Sequence, residues 1–264
     1  MNGTTVHYLT YVGYGKTLQL LGGLSTDYYN YLGIGLDVNT ATTQALGLEE
    51  ELDRGAATIT FDTTNRHGIW TTAFTGFAAS YTIMETGAFD QDETNADAVM
   101  CYHQYSTVGA GLQAVTTADT LNVVTEIGFD TDTSEQIPNA GLLEAAKLLC
   151  NYDSPAAFTY VGYGTGTTAF STSQTALVTQ VERKVADKIE LTSTDVYNDT
   201  LRYTVAFTAT TAEKVIGEVG LFNASTSGDM LMRKVISPTV TVPSGKIPVV
   251  VIDMKISDSG NTPS

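Results

Sequence analysis

The chain has 264 residues, a net charge of −16 and only 13 Lys and Arg. So few basic residues, spread along the chain, exclude the clustered phosphate contacts of a nucleic-acid partner, and no apolar run reaches the ~18 residues of a membrane-spanning helix. Charged residues are 16 % against the ~25 % usual in globular proteins, while Thr, Ser, Gly and Ala are abundant and Tyr reaches 14, the composition of an all-β, surface-assembled protein.

The N-terminus, MNGTTVHYLTYVGYG, carries neither the charged nor the apolar region of a signal peptide. Residues 1–14 read as an arm, because VHYLTYV alternates as a strand does, and the arm is expected to pair outside its own domain. KTLQLLGG at 16–23 has a short apolar helical pattern, and YLGIG from Tyr31 a strand pattern. Gln44 to Arg54 is expected as an amphipathic helix with Leu46, Leu48 and Leu52 near one side. ATITFD at 57–62 alternates as a strand, followed by METGAF at 84–89, AVMCYHQYS at 98–106 and TLNVVTEIGFD at 120–130. Thr131 to Pro138, TDTSEQIP, is polar, ends in proline and reads as an interdomain connection.

The same succession then returns. A helix is expected from Leu142 to Cys150, YVGYG follows from Tyr160, and Thr175 to Lys184 repeats the amphipathic stretch with Ala176, Val178 and Val181. RYTVAFTA at 202–209, GEVGLF at 217–222, DMLMRKVIS at 229–237, PTVTVPS at 238–244 and KIPVVVIDMKIS at 246–257 complete it. VVVI at 249–252 is a continuous β-branched run and is expected to be covered on both faces. Turn residues punctuate the strands at Asn65 to Gly68, Asp90 to Asn95, Asn223 to Asp229 and Pro243 to Gly245. Residues 258–264 read as a disordered tail.

METGAF and GEVGLF anchor the duplication, since Glu85, Gly87 and Phe89 coincide with Glu218, Gly220 and Phe222. The fold class is therefore mainly β: two tandem antiparallel β-sandwich domains of the same fold, each with one or two short helices, at 15–130 and 139–257. Each is long enough to bury its own core. Phe89 and Phe222 are expected in those cores, and Gly87 and Gly220 to permit a bulge or a positive φ. Glu85 and Glu218 are expected to accept hydrogen bonds from an arginine or a backbone amide, with a Glu218 to Arg183 ion pair in the second domain.

EVGLFN from Glu218, with YVGYGTGTTAFSTSQTALVTQVERK upstream and LMRKVISPTVTVPSGKIPVVVIDMKIS downstream, resembles the N-terminal domain of phage tail-collar fibre proteins. The matched positions are Gly162, Gly164, Gly166, Leu177, Val181, Glu182, Arg183, Ile216, Glu218, Gly220, Leu221, Phe222, Leu231, Val249 and Val251. The first copy looks like a diverged relative, with Ala88 in place of Leu221 and with Leu48, Glu50 or Glu51, and Arg54 as counterparts of the helix motif. A tail fibre of that family continues into a repetitive shaft and a receptor-binding tip, and no such region occurs in these residues. What the resemblance implies is a structural component of a tailed virus particle, a tail or neck collar adaptor or a capsid decoration or vertex protein, acting through oligomeric assembly. It would lie on the exterior of the virion after synthesis in the host cytoplasm. Its partners would be itself, as a trimer or ring, and other virion proteins, with no nucleic acid and no membrane.

Motifs with chemical meaning are few. GYGKT at 13–17 lacks the glycine of a phosphate-binding loop, since Thr10 stands four residues before the Gly-Lys-Thr, and it reads as a turn. His7, His67 and His103 have no companions at metal-ligand spacing, although His103 shares a strand face with Cys101. Asp90 to Asp97 and Asp130 to Glu135 lack the glycine and final glutamate of a helix-loop-helix calcium site and read as solvated loops. Cys101 and Cys150 occupy non-equivalent places and read as buried free thiols of a reducing compartment. No nucleophile elbow or repeated Ser/His/Asp set is present, so no enzyme, cofactor or metal is expected.

Tyr8, Tyr11, Tyr14, Tyr28, Tyr29 and Tyr31 crowd the start of the first copy and are interface candidates, with ordinary half-buried strand tyrosines as the alternative. A second functional class, a carbohydrate-binding module, would need several of Tyr28, Tyr29, Tyr31 and Trp70 on one accessible face.

Overall fold

A computed structural model describes residues 6–36, 47–64, 66–91, 99–104, 113–128, 137–193 and 199–255. The described residues are mainly β, with two helices and several antiparallel sheets. In the first repeat, β1 (Val6–Leu9), β8 (Val99–Gln104), β7 (Glu85–Phe89), β2 (Tyr31–Gly35) and β3 (Glu51–Ala56) form one sheet in that order. A second sheet has the order β10 (Leu121–Gly128), β5 (His67–Phe74) and β4 (Thr58–Asp62). In the second repeat the corresponding orders are β12 (Gln180–Val185), β11 (Tyr160–Gly164), β15 (Lys214–Phe222) and β16 (Met230–Val242), and then β13 (Lys188–Thr192), β14 (Thr200–Ala206) and β17 (Val249–Lys255). A small pair, β6 (Tyr81–Ile83) with β9 (Gln113–Val115), lies outside these sheets.

The repetition is carried by register. Tyr31 faces Phe89, Gly33 faces Gly87 and Gly35 faces Glu85; Tyr160, Gly162 and Gly164 face Phe222, Gly220 and Glu218 in the same way. On the other side Gly33 faces Arg54 and Gly162 faces Arg183, and both ladders shift register just before the last glycine, at Ile34/Gly35 and Tyr163/Gly164. In the second sheets Trp70 and Tyr203 are counterparts, each opposite an isoleucine, Ile59 or Ile189.

The helices are α1 (Tyr11–Leu21) and α2 (Asn139–Leu149). The helix of the first repeat thus begins earlier than the apolar pattern at 16–23 implied, because the Thr10 side chain accepts from the Gly13 amide as an N-cap. GYGKT is consequently helical, neither a phosphate loop nor a turn. Residues 10–14, expected as part of the arm, match the start of α2 in the second repeat, so the repeat is longer than its sequence landmarks. The expected arm also pairs differently: β1 joins β8 of its own sheet, with Leu9 opposite Cys101 and Val6 opposite Gln104.

Three further expectations change. The amphipathic stretches ending at Arg54 and Lys184 end as strands β3 and β12, because pairing with β2 and β11 satisfies their backbone more completely than a short isolated helix would. PTVTVPS continues β16 rather than forming its own strand. VVVI is not covered on both faces: Val250 and Ile252 are buried, whereas Val249 and Val251 are 61 % and 55 % exposed, since they lie on the outer face of the sheet, which nothing described covers. Residues 131–136 of the expected linker, the tail from 258, and residues 1–5 and 44–46 lie outside the described residues.

The core does not divide at the repeat boundary. Leu32, Ile34, Trp70 and Phe74 of the first repeat belong to the same buried cluster as Phe158, Val161, Tyr203 and Leu221 of the second. Both helices touch strands of both repeats: α1 packs on β8 and on β13 and β14, and α2 packs on β16 and on β5.

Candidate functional site

The residues shared by METGAF and GEVGLF converge in each repeat on one face of the larger sheet. Glu218 is fully buried, and its Oε1 accepts from the amides of Thr179 at 2.7 Å and Gly166 at 3.2 Å. Its Oε2 accepts from the Val178 amide at 3.0 Å and from Arg233 Nε at 2.7 Å. Burial alone would push this carboxyl up, but the Thr179 amide and the Arg233 guanidinium outweigh it and hold the group below its ordinary 4.5. Arg233, itself fully buried, also donates to Gln174 Oε1 at 3.2 Å and to the Thr168 carbonyl at 2.9 Å. One carboxylate and one guanidinium therefore pin the loop from Thr165 to Thr179 across the sheet.

Glycines make room for that carboxylate. A Cβ on Gly166 would lie 2.5 Å from Glu218 Oε1, and one on Gly164 2.6 Å from the same oxygen. On Gly220 it would meet the Met232 carbonyl at 2.9 Å. Gly220 is thus required by close approach; neither it nor Gly87 has a positive φ, and the register shift falls one step later, at Leu221/Phe222 and Ala88/Phe89.

Glu218 does not pair with Arg183, contrary to expectation. Arg183 lies on the strand facing Gly162, where its guanidinium stacks 3.4 Å from the Phe222 ring centre and donates to Gln180 Oε1 and to the Ala224 and Ser227 carbonyls. Burial lowers its pKa. The ring of Phe222 extends over Gly162, whose Cβ would be 3.0 Å from Phe222 Cε2, and Leu177 closes the same small cluster.

The first repeat builds the same device. Glu85 accepts from the Glu49 and Glu50 amides at 3.2 and 3.0 Å, as Glu218 does from Val178 and Thr179. Arg54 lies 3.6 Å over Phe89, donates twice to Glu51 at 2.7 Å and donates to the Gln91 carbonyl. What differs is the second cation, because the position of Arg233 in register, opposite Gly220, is held in the first repeat by Tyr102, opposite Gly87. Arg233 is the site residue that sequence reasoning missed. The RK pair in LMRKVIS was visible, but nothing in the spacing says that an arginine on β16 turns inward.

Comparison of the chain with protein-family models, curated proteins and solved structures gives no match.

The interface tyrosines separate. Tyr14 is 4 % exposed and Tyr29 fully buried, so both are core residues rather than outward contacts; Tyr28 and Tyr31 are half-buried. The side chains of Tyr8 and Tyr11 lie outside the described residues. Trp70 is also fully buried and donates its indole N–H to the Tyr29 carbonyl, which removes Tyr29 and Trp70 from any stacking platform for a sugar.

Lys16 on α1 bridges Asp90 at 2.8 Å and Asp27 at 3.1 Å, and these two carboxylates outweigh burial to raise its pKa. Cys150 is buried and free, and burial pushes its thiol up to about 11. The side chains of Cys101, His7 and His103 lie outside the described residues, as do Asp92 to Asp97 and Asp130 to Glu135. Among the described residues no group of three or more His, Cys, Asp or Glu is placed to hold a metal ion, and no helix is long and apolar enough to cross a membrane.

Proposed function

We propose that this chain is a structural component of a tailed virus particle, as a tail or neck collar adaptor or a capsid decoration or vertex protein, and that it acts through oligomeric assembly. The observation that carries the reading is the convergence of the collar-type positions. Gly162, Gly164, Gly166, Leu177, Arg183, Glu218, Gly220 and Phe222 are scattered over sixty residues of sequence and meet in one pinned loop and one Arg–Phe stack. All of these but Gly166 have counterparts in the first repeat, in Gly33, Gly35, Leu48, Arg54, Glu85, Gly87 and Phe89. Residues that resemble a family's motif and also depend on one another physically give the resemblance structural content.

The distribution of exposed apolar side chains supports assembly. Among the described residues, Val178, Val185, Val240, Ile247, Val249 and Val251 of the second repeat are 48 to 61 % exposed, against Leu24 and Val124 in the first. Apolar side chains presented this way suit contact with neighbouring protein. These side chains of the second repeat would bind neighbours.

The test is sedimentation of the purified chain together with immunogold labelling of purified particles. A trimer or ring, and label on the particle exterior, is the expected result. A monomer at high concentration that is also absent from particles would overturn the proposal.

A further inference from the structure

The contacts between the repeats are reciprocal. The Tyr29 amide, two residues before Tyr31 of β2, donates to the carbonyl of Leu149, the last residue of α2, at 3.1 Å. The Phe158 amide, two residues before Tyr160 of β11, donates to the carbonyl of Leu21, the last residue of α1, at 2.8 Å. Tyr29 and Phe158 are counterparts, and so are Leu21 and Leu149. Residue i of one repeat meets residue j of the other, and j meets i, which is the signature of an isologous, two-fold interface.

The helices follow the same rule. α1 packs against β13 and β14 of the second repeat, and α2 against β5 of the first, while the two helices also touch each other. Close approach is specific at these points. A Cβ on Gly22, at the end of α1, would lie 2.9 Å from Leu201 Cδ2 and 3.1 Å from Ile189 Cγ2 of the second repeat. A Cβ on Gly68 of the first repeat would lie 3.2 Å from Cys150 Sγ, at the end of α2. Each smaller sheet thus has its inner face completed by the helix of the other repeat, and both sides contribute to one buried cluster.

We infer that the chain is a covalently fused, helix-exchanged dimer of one backbone, that the seam is a recognition surface whose fitting partner is another copy of that backbone, and that neither repeat retains its structure when the other is lost. Removing one repeat would strip a helix from the other's core and expose Trp70 or Tyr203, Leu201 and Phe158, all fully buried at present. This inference is independent of any role in a particle.

Hydrogen exchange of the intact chain, read by mass spectrometry at increasing denaturant, tests it. The slowest amides of β2 and β7 and those of β11 and β15 should converge on a single unfolding isotherm. Phe89→Leu, in the first repeat and away from the seam, should raise exchange in both sets by the same factor, and Gly22→Ala should do so by roughly tenfold through its clash with Leu201. Two separate isotherms in the wild-type chain, or a Phe89→Leu effect confined to β2 and β7, would overturn the inference. The wild-type measurement decides even if a variant does not fold.

Discussion

Arg233 Nε donates to Glu218 Oε2 at 2.7 Å with both side chains fully buried. A buried pair is poor evidence of net stabilisation against an apolar pair of equal shape, but breaking it strands a charge. Arg233→Met should therefore cost about 3–5 kcal/mol in urea unfolding of the intact chain. A loss within the scatter of surface substitutions would show that the pinned loop from Thr165 to Thr179 contributes little.

Acid should act through the same carboxylate. The folded-state pKa of Glu218 lies below its ordinary value, so its contribution is fully present above that value and is lost as pH falls through the lower, folded one. Comparing melting temperatures of the wild type and Glu218→Gln from about pH 6 to about pH 2 should show a gap that closes on acidification. A gap constant with pH would mean that the charge state of Glu218 is immaterial.

The two Arg–Phe stacks should differ in worth. Arg54 is 8 % exposed and grips Glu51 with two donors, whereas Arg183 is more open and faces the neutral Gln180. Lysine keeps the charge but loses the planar fork, so Arg54→Lys should cost about 1–2 kcal/mol and Arg183→Lys less. Chemical denaturation of both variants checks the order, and the reverse order would refute it.

Gly141 offers a test of sign. Helix propensity alone makes Ala better than Gly by about 1 kcal/mol in a helix interior. A Cβ here would, however, meet the backbone carbonyls of Met230 and Leu231 at 2.5 and 2.7 Å. Gly141→Ala should lower the melting temperature, because α2 cannot retreat without opening its contact with β16, and a rise would place propensity above packing.

The Cys150 thiol should be unreactive in the folded chain. In a Cys101→Ser background, a thiol-reactive chromophore at neutral pH should label Cys150 only as the chain unfolds, since burial both raises its pKa to about 11 and blocks access. Prompt labelling of native protein would contradict the position of Cys150 against Gly68.

Exposed valines give the assembly proposal a mutational arm. Val249→Lys with Val251→Lys changes only side chains that point outward from β17. Folding should survive, by circular dichroism, while the sedimenting oligomer should dissociate or weaken. An unchanged oligomer would move the contact surface elsewhere.

Much of this architecture was readable because duplication repeats its own constraints. Glu85 and Phe89 recur as Glu218 and Phe222 since each is fixed by a neighbour that also recurs: an amide pair and an arginine. The period-two pattern of ATITFD and RYTVAFTA survives in β4 and β14 because one face of each sheet is buried. Spacing failed where a partner lay far away in sequence. The Leu-rich stretch before Arg54 has helical periodicity, yet strand pairing overrides it, and the carboxylate that organises the preceding turn lies more than thirty residues downstream. VVVI looked doubly buried because β-branched runs often are, but whether the second face of a sheet is covered depends on neighbours that the strand's own residues do not name.

By itself the sequence determined that this protein is mainly β, is built twice on one plan, and repeats a Glu-x-Gly-x-Phe segment, since those features follow from local alternation and identity. Only the tertiary structure decided that Glu218 takes Arg233 and leaves Arg183 to Phe222, that Tyr29 and Trp70 lie inside, and that each repeat completes its core with the helix of the other. Those choices rest on which side chains are brought within a few ångströms across the seam and across the sheets, a matter of burial and reach that no spacing along one chain encodes.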